Sequence, residues 1–339
     1  MIPLVSIIMP VYNKELYLNR ALENICNQTF DNWELIVIND GSTDNSKTII
    51  EEYVKRDKRI VAYHQNNKGV SDARNKGLKY ATGKWIWFVD SDDIPSKSFL
   101  SEVFKINLKR ETDIIVGNYM KVFPDCKIEN VILDEQGYIQ NKDFPVLFMK
   151  YQYVTGFWGY LWNKLLRRSL IEENKLTFEA GLTLAEDLKF MVQVYQCCKV
   201  IYILSQKAIK YRVSAQNSSA EKKVDYLAQL KIQNMIYEWI IEKNKNEQYK
   251  SFLQKQLSYY VAFSIFYGFE DGNLPQMIIK EIDDSEKILN LISENEIDKV
   301  MRPIVIYVKK KKWIRLYLYL YGRNLIRSVY RILQKRRES

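Results

Sequence analysis

Residues 4–11, LVSIIMPV, form a short apolar run rich in β-branched side chains. The chain then changes period, with Leu16, Leu18, Ala21, Leu22 and Ile25 recurring at helical spacing. WELIVIND (33–40) repeats the strand pattern, GSTDNS reads as a turn and KTIIEEYVKRD as a second helix. RIVAYHQ, VSDARNKGLKYA, TGK and WIWFVDSDD continue the series as strand, helix, turn and strand, and DIIVGNYMKVF (113–123) adds a further strand. Strands and helices alternating at this spacing predict a parallel sheet covered by helices. FEAGLTLAEDLKFMVQVYQCCKVIYI predicts a helix with Glu186 and Asp187 near its start. Beyond the polar break at 214–223 the pattern is helical, which places a domain boundary between residues 1–215 and 216–339.

In such a sheet ligands bind at the carboxyl ends of the strands. PVYN, NDGSTD and DSDD follow the first, second and fourth strands and should share one rim. Turn formation accounts for any one of these polar groups. It accounts poorly for all three together.

With 339 residues, 47% of them hydrophobic, the chain can bury a substantial core. Its four cysteines lack ligand spacing and His64 is its only histidine, which argues against zinc and against a Ser-His or Cys-His mechanism. MIPLVSIIMPVYN lacks the features of a signal peptide, and LSYYVAFSIFYGF (257–269) is too short to span a bilayer, so the expectation is a cytoplasmic chain. The net charge is +10, unevenly placed: from Lys299 onward thirteen Lys and Arg meet one acid, Glu338, leaving about −2 on everything before.

The chemistry sits in a few residues. Asp40 could accept hydrogen bonds from a base or ribose, with Gly41 permitting the turn. Lys68 and the guanidinium fork of Arg74 suit a phosphate or a pyrimidine edge, although a solvated helix face would explain the neighbouring lysines equally well. Asp90 and Asp92 flank Ser91 at a strand end and can aim two hard oxygen ligands at one Mg²⁺ or Mn²⁺ bridging a diphosphate.

Taken together, PVYN, NDGSTD, NKGVSDARNKGL, ATGKWIWFVDSDD and WNKL followed by AED resemble the family 2 glycosyltransferases of the GT-A fold, over roughly residues 3–215. The resemblance implies a Rossmann-like, mixed, mainly parallel sheet with helices on both faces, followed here by a helical C-terminal region. It implies that Pro10, Val11 and Tyr12 line the nucleotide, that Asp40 binds uracil, and that Arg74 lies by the base and diphosphate. Asp90, Ser91 and Asp92 match the DXD motif, with Asp90 at the ribose or metal and Asp92 on the metal, and Asp187 matches the catalytic base. Asp187 could equally be a helix-N-terminal acid of the kind Glu186 suggests. The family usually has Gly before the ED pair; this chain has Ala185. The QxxRW motif of processive synthases is absent. The implied activity is therefore transfer of one sugar from a UDP-sugar to a glycan acceptor on a lipid carrier or protein, inverting and metal-dependent. The competing reading is a non-catalytic nucleotide-binding or membrane-scaffold protein on the same fold. Tyr211, Arg212 and Ser218 in the closing segment could touch diphosphate or acceptor, or simply form a loop.

The tail 309–337 places Arg323, Arg327, Arg331 and Lys335 four apart, with Leu325, Ile326, Val329, Ile332 and Leu333 largely opposite. That pattern suits a peripheral contact with the inner face of the plasma membrane, and it suits equally a packed helix with a solvated face or a homodimer contact. No recognised nucleic-acid motif accompanies it.

Overall fold

The computed structural model describes residues 2–182, 184–213, 225–270, 280, 282, 286–294 and 297–323. The chain divides into two compact units, Met1–Lys223 and Val224–Ser339. The boundary expected at 215/216 falls within 214–224, and Ser218 and the tail beyond Arg323 likewise lie outside the described residues.

The first unit is built on one ten-stranded mixed sheet. β1 (Val5–Val11), β2 (Trp33–Asp40), β3 (Ile60–Gln65) and β4 (Trp85–Phe88) form its parallel half in the order β3-β2-β1-β4. β1 is buried along its whole length, as a central parallel strand covered on both faces must be. Helices α1 (Glu15–Cys26), α2 (Ser46–Arg56) and α3 (Val70–Tyr80) make the crossovers, each burying one face; α1 buries Leu18, Ala21, Leu22 and Ile25, as its periodicity predicts. Leu16 stays exposed.

The other half is where the sequence pattern was thin. β5 (Ile94–Pro95), α4 (Phe99–Phe104), β6 (Thr112–Val122), β7 (Ile128–Val131), β8 (Gly137–Gln140) and α5 (Phe144–Thr155) precede β9 (Lys164–Arg167), α6 (Arg168–Glu173), α7 (Glu186–Cys197) and β10 (Val200–Arg212). β9 runs antiparallel to both β4 and β6 and joins the parallel half to the parallel pair β6–β10. β5 and β8 pair antiparallel with β10, and β7 with β6. Because β1, β2 and β4 are parallel, PVYN, NDGSTD and DSDD do emerge at one rim.

In the second unit α8 (Tyr226–Lys243), capped by Asp225, which accepts from the Ala228 N–H, packs on α9 (Glu247–Glu270). α10 (Glu286–Leu291), α11 (Arg302–Lys309) and helical residues 313–323 complete the described part. Among the described residues no helix is long and apolar enough to cross a membrane.

Candidate active site

The first two rim loops are stitched to each other. Asn13 donates its N–H to Ser42 Oγ at 3.1 Å and accepts from the Thr43 N–H at 2.8 Å, while the Lys14 N–H reaches Ser46 Oγ. Asp40, 3% exposed at the end of β2, accepts from the Lys68 N–H (2.9 Å), Gln65 Nε2 (2.8 Å) and the Gly69 N–H (2.8 Å). Its carboxylate thus holds the 66–69 loop, and only its remaining lone pairs are available to a ligand. Gly41 is required here: its φ is +74°, and a Cβ would lie 2.7 Å from the Asn67 nitrogen. Of Pro10, Val11 and Tyr12, only Tyr12 is exposed at the rim; Pro10 and Val11 are buried in the sheet. Lys68 is exposed.

Arg74, near the middle of α3 and 5% exposed, links two carboxylates that lie far apart in sequence. Nη1 donates to Glu186 at 3.0 Å and Nη2 to Asp90 at 3.1 Å, while the guanidinium sits 5.4 Å from the centre of the Phe178 ring. Burial and the nearby Asp90, Glu186 and Asp187 act in opposite directions on this cation, and the net result is a pKa above the ordinary arginine value. The chain after β4 then delivers its aspartates. Burial raises Asp90, Asp92 and Glu186 add to the rise, and Arg74 opposes it. Asp92 pairs with Lys14 Nζ at 2.7 Å. Asp93, 3% exposed, accepts from the Arg212 N–H at 3.1 Å and leaves Oδ2 buried without a partner. Burial first, then Asp92 and Asp90, push Asp93 well above the carboxylate range. Ser91 is buried between them.

Asp187 stands in the first turn of α7. Burial, reinforced by Glu186, raises it to about 7, against the pull of Arg74. Oδ1 accepts from the Leu188 N–H at 2.7 Å. The residue before the pair explains the departure noted in the sequence: Ala185 has φ +62°, in the left-handed region that glycine tolerates freely and alanine occupies at a cost of roughly 1–2 kcal/mol.

Several participants have contacts that the sequence does not reveal. Lys14 and Glu186 are the counter-charges of Asp92 and Arg74, across 78 and 112 residues. Lys164, fully buried at the start of β9, donates to Phe157 O (3.0 Å), Tyr160 O (2.5 Å) and Asn163 Oδ1 (2.7 Å). Burial pulls it well below the lysine range, Asp187 opposes that pull, and the three acceptors match the three N–H of the charged form. Tyr160, stacked on Trp162 at 4.7 Å, has its hydroxyl pushed up to about 12 by burial, Tyr211, Asp187 and Asp93, so it remains a protonated donor beside Asp187. Tyr211 stacks on Trp162, and the Arg212 guanidinium lies 4.9 Å from the Tyr17 ring.

The rim therefore gathers five aspartates, three of them raised by burial, around a buried arginine, an arrangement typical of sites that manage charge and protons. Residues 6–174 match the profile described as Glycosyl transferase family 2. A Bacillus subtilis (strain 168) protein named EpsH and described as a glycosyltransferase is 33% identical over 257 residues, covering 73% of this chain and 72% of that one. Among solved structures, Staphylococcus aureus TarS 1–349 in complex with UDP-GlcNAc superposes with a TM-score of 0.65 at 21% identity, over 95% of this chain and 91% of that chain. The mannosyltransferase PcManGT of Pyrobaculum calidifontis, in complex with GDP-Man and Mn²⁺, does so with a TM-score of 0.52 at 14% identity, over 95% and 86%. With the family profile matched over residues 6–174 and a relative 33% identical over 73% of this chain, the chain belongs to that family: it is a glycosyltransferase of family 2, on the GT-A fold.

Proposed function

We propose that the chain transfers a single sugar from a UDP-sugar to a hydroxyl of a glycan acceptor, with inversion at the anomeric carbon. The observation that carries this reading is Asp187, a half-buried carboxylate raised to about 7 beside the Arg74–Asp90–Glu186 network. A base poised near neutral pH is suited to take the acceptor's proton. The acceptor oxygen forms its bond to the anomeric carbon as the bond to the diphosphate breaks, the proton passes to Asp187, and UDP leaves with the bonding pair. UDP as the nucleotide is supported by the TarS complex with UDP-GlcNAc. The acceptor would be a surface glycan intermediate on a lipid carrier or a protein-linked glycan, with the lipid-linked branch placing the reaction at the inner face of the plasma membrane.

The donor set fits a hard divalent cation, Mn²⁺ or Mg²⁺, held jointly with the substrate. Asp90 and Asp93 are both raised, by burial first and then by the neighbouring carboxylates including Asp92, and the Asp93 Oδ2 lacks a hydrogen-bond partner, so a cation would relieve the cluster. No three His, Cys, Asp or Glu side chains among the described residues are arranged to hold a metal by themselves. A hard divalent cation at a diphosphate site takes one or two carboxylates and completes its shell with phosphate oxygens and water. Asp92 and Asp90 would hold it, and as a Lewis acid it would offset the charge on the departing diphosphate. Lys14 must then release Asp92.

Two measurements test this. Hydrolysis of a panel of UDP-sugars, with Mn²⁺ and with EDTA, should release UDP from one donor only when metal is present; a chain that neither hydrolyses nor binds any of them would return the assignment to a scaffold. Asp92→Ala should weaken Mn²⁺-dependent UDP binding by at least the roughly 10- to 100-fold that loss of a metal site's supporting group costs. Calorimetric UDP titrations showing the same metal dependence in variant and wild type would remove Asp92 from that role.

A further inference from the structure

We infer that the unit Val224–Ser339 carries a docking face for an anionic lipid surface on helical residues 313–323. This helix has two apolar faces where a solvated helix has one. Leu316 and Leu320, 1% and 2% exposed, pack inward. Ile314, Tyr317, Leu318 and Tyr321 face out, at 79%, 49%, 65% and 60% exposure. Their spacing of i, i+3, i+4 and i+7 gathers them into an arc of about 100° at 3.6 residues per turn. Single exposed apolar side chains are ordinary on a protein surface; a contiguous stripe of four marks an interaction site. Val300, 45% exposed, lies beside the helix, since its carbonyl accepts from Tyr319 Oη at 2.8 Å.

The charge around the stripe selects the partner. Between Lys299 and Arg323 the chain has eight cations and no acid, and Lys310, Lys312 and Arg315 are exposed next to the stripe. A second copy meeting this face about a two-fold axis would set Lys310, Lys312 and Arg315 against the same three cations, an arrangement that repels. An anionic bilayer accepts both parts: the cations remain at the headgroups while Ile314 and Leu318 enter the acyl boundary, with Tyr317 and Tyr321 spanning the two. This apolar stripe at 314–321 lies within the tail 309–337 that the sequence pattern singled out, ahead of residues 325–333, which lie outside the described residues. Arg323 does not belong to the solvated basic face. Its guanidinium packs on Phe266 and Tyr319 and donates to Val300 O at 3.2 Å.

The inference bears on the lipid-linked branch of the acceptor reading, but its test uses neither donor nor acceptor, so either can fail alone. The full chain is floated with vesicles of phosphatidylglycerol and phosphatidylcholine, and with phosphatidylcholine alone. Binding to the anionic vesicles only, reduced by salt, is expected. The doubles Ile314→Ser/Leu318→Ser and Lys310→Glu/Lys312→Glu should each weaken it at least about tenfold, with thermal melting unchanged because the replaced side chains are exposed. Failure of the wild type to bind, equal binding to both vesicle types, or undiminished binding by the apolar double would overturn the inference. So would a dimer in size-exclusion that the apolar double dissolves.

Discussion

Asp187→Asn lowers the transfer rate by about 10²- to 10⁴-fold, the range a positioned general base contributes, while UDP binding stays close to wild type. Asparagine keeps the shape and the contact with the Leu188 N–H but cannot accept the acceptor's proton. The pH profile provides an independent check. Asp187 is raised to about 7, so the wild-type rate should climb with pH until it passes that value, and the residual rate of the variant should lack this limb. Stability should move the other way. A carboxyl whose folded pKa is raised contributes stability at acid pH and loses it as pH rises from its ordinary value near 3.8 through about 7. The neutral amide has no such loss, so the variant should be the more stable protein above pH 7, as is common when a strained functional group is removed. Steady-state rates within tenfold of wild type across that range would exclude Asp187 as the base.

The sequence makes one half of this molecule easy to read and the other hard, for physical reasons. β1, β2 and β4 are buried parallel strands with β3 as their half-exposed edge, all joined by amphipathic helices, so period and composition change together at each boundary, and the rim motifs follow from strand direction alone. β9 is only four residues, KLLR, antiparallel on both sides, and its first residue is a lysine with no exposure at all. Pattern reading places a lysine at the surface; Lys164 is inside because three carbonyl-type acceptors converge on its amine. The ion pairs Lys14–Asp92 and Arg74–Glu186 are equally invisible, since each joins segments that only the folded sheet brings together. Ala185 lies between these cases. The sequence marks it as a departure from glycine, but only its left-handed φ shows that the departure carries strain into the turn presenting Asp187.

Arg74→Ala should cost about 3–5 kcal/mol of folding stability at neutral pH, the penalty for removing one partner from a buried charge network. Arg74 is 5% exposed and is the shared counter-charge of Asp90 and Glu186, so alanine leaves both without the cation that offsets their desolvation. The pH dependence identifies the cause. Loss of the cation raises the pKa of Asp90 and Asp187 in the folded protein beyond their already raised positions, while the unfolded chain is unaffected. The folded state then binds protons that the unfolded state releases, so the destabilisation should grow as pH rises from about 4 to 8 and shrink in acid. A purely steric cavity would give a loss independent of pH. Denaturant titrations at several pH values separate the two, and a small, pH-independent loss would mean that Arg74 is not the electrostatic centre of the site. Arg74→Lys should recover only part of the loss. An ammonium is a point charge, and bridging Asp90 and Glu186 together takes the two arms of the guanidinium fork.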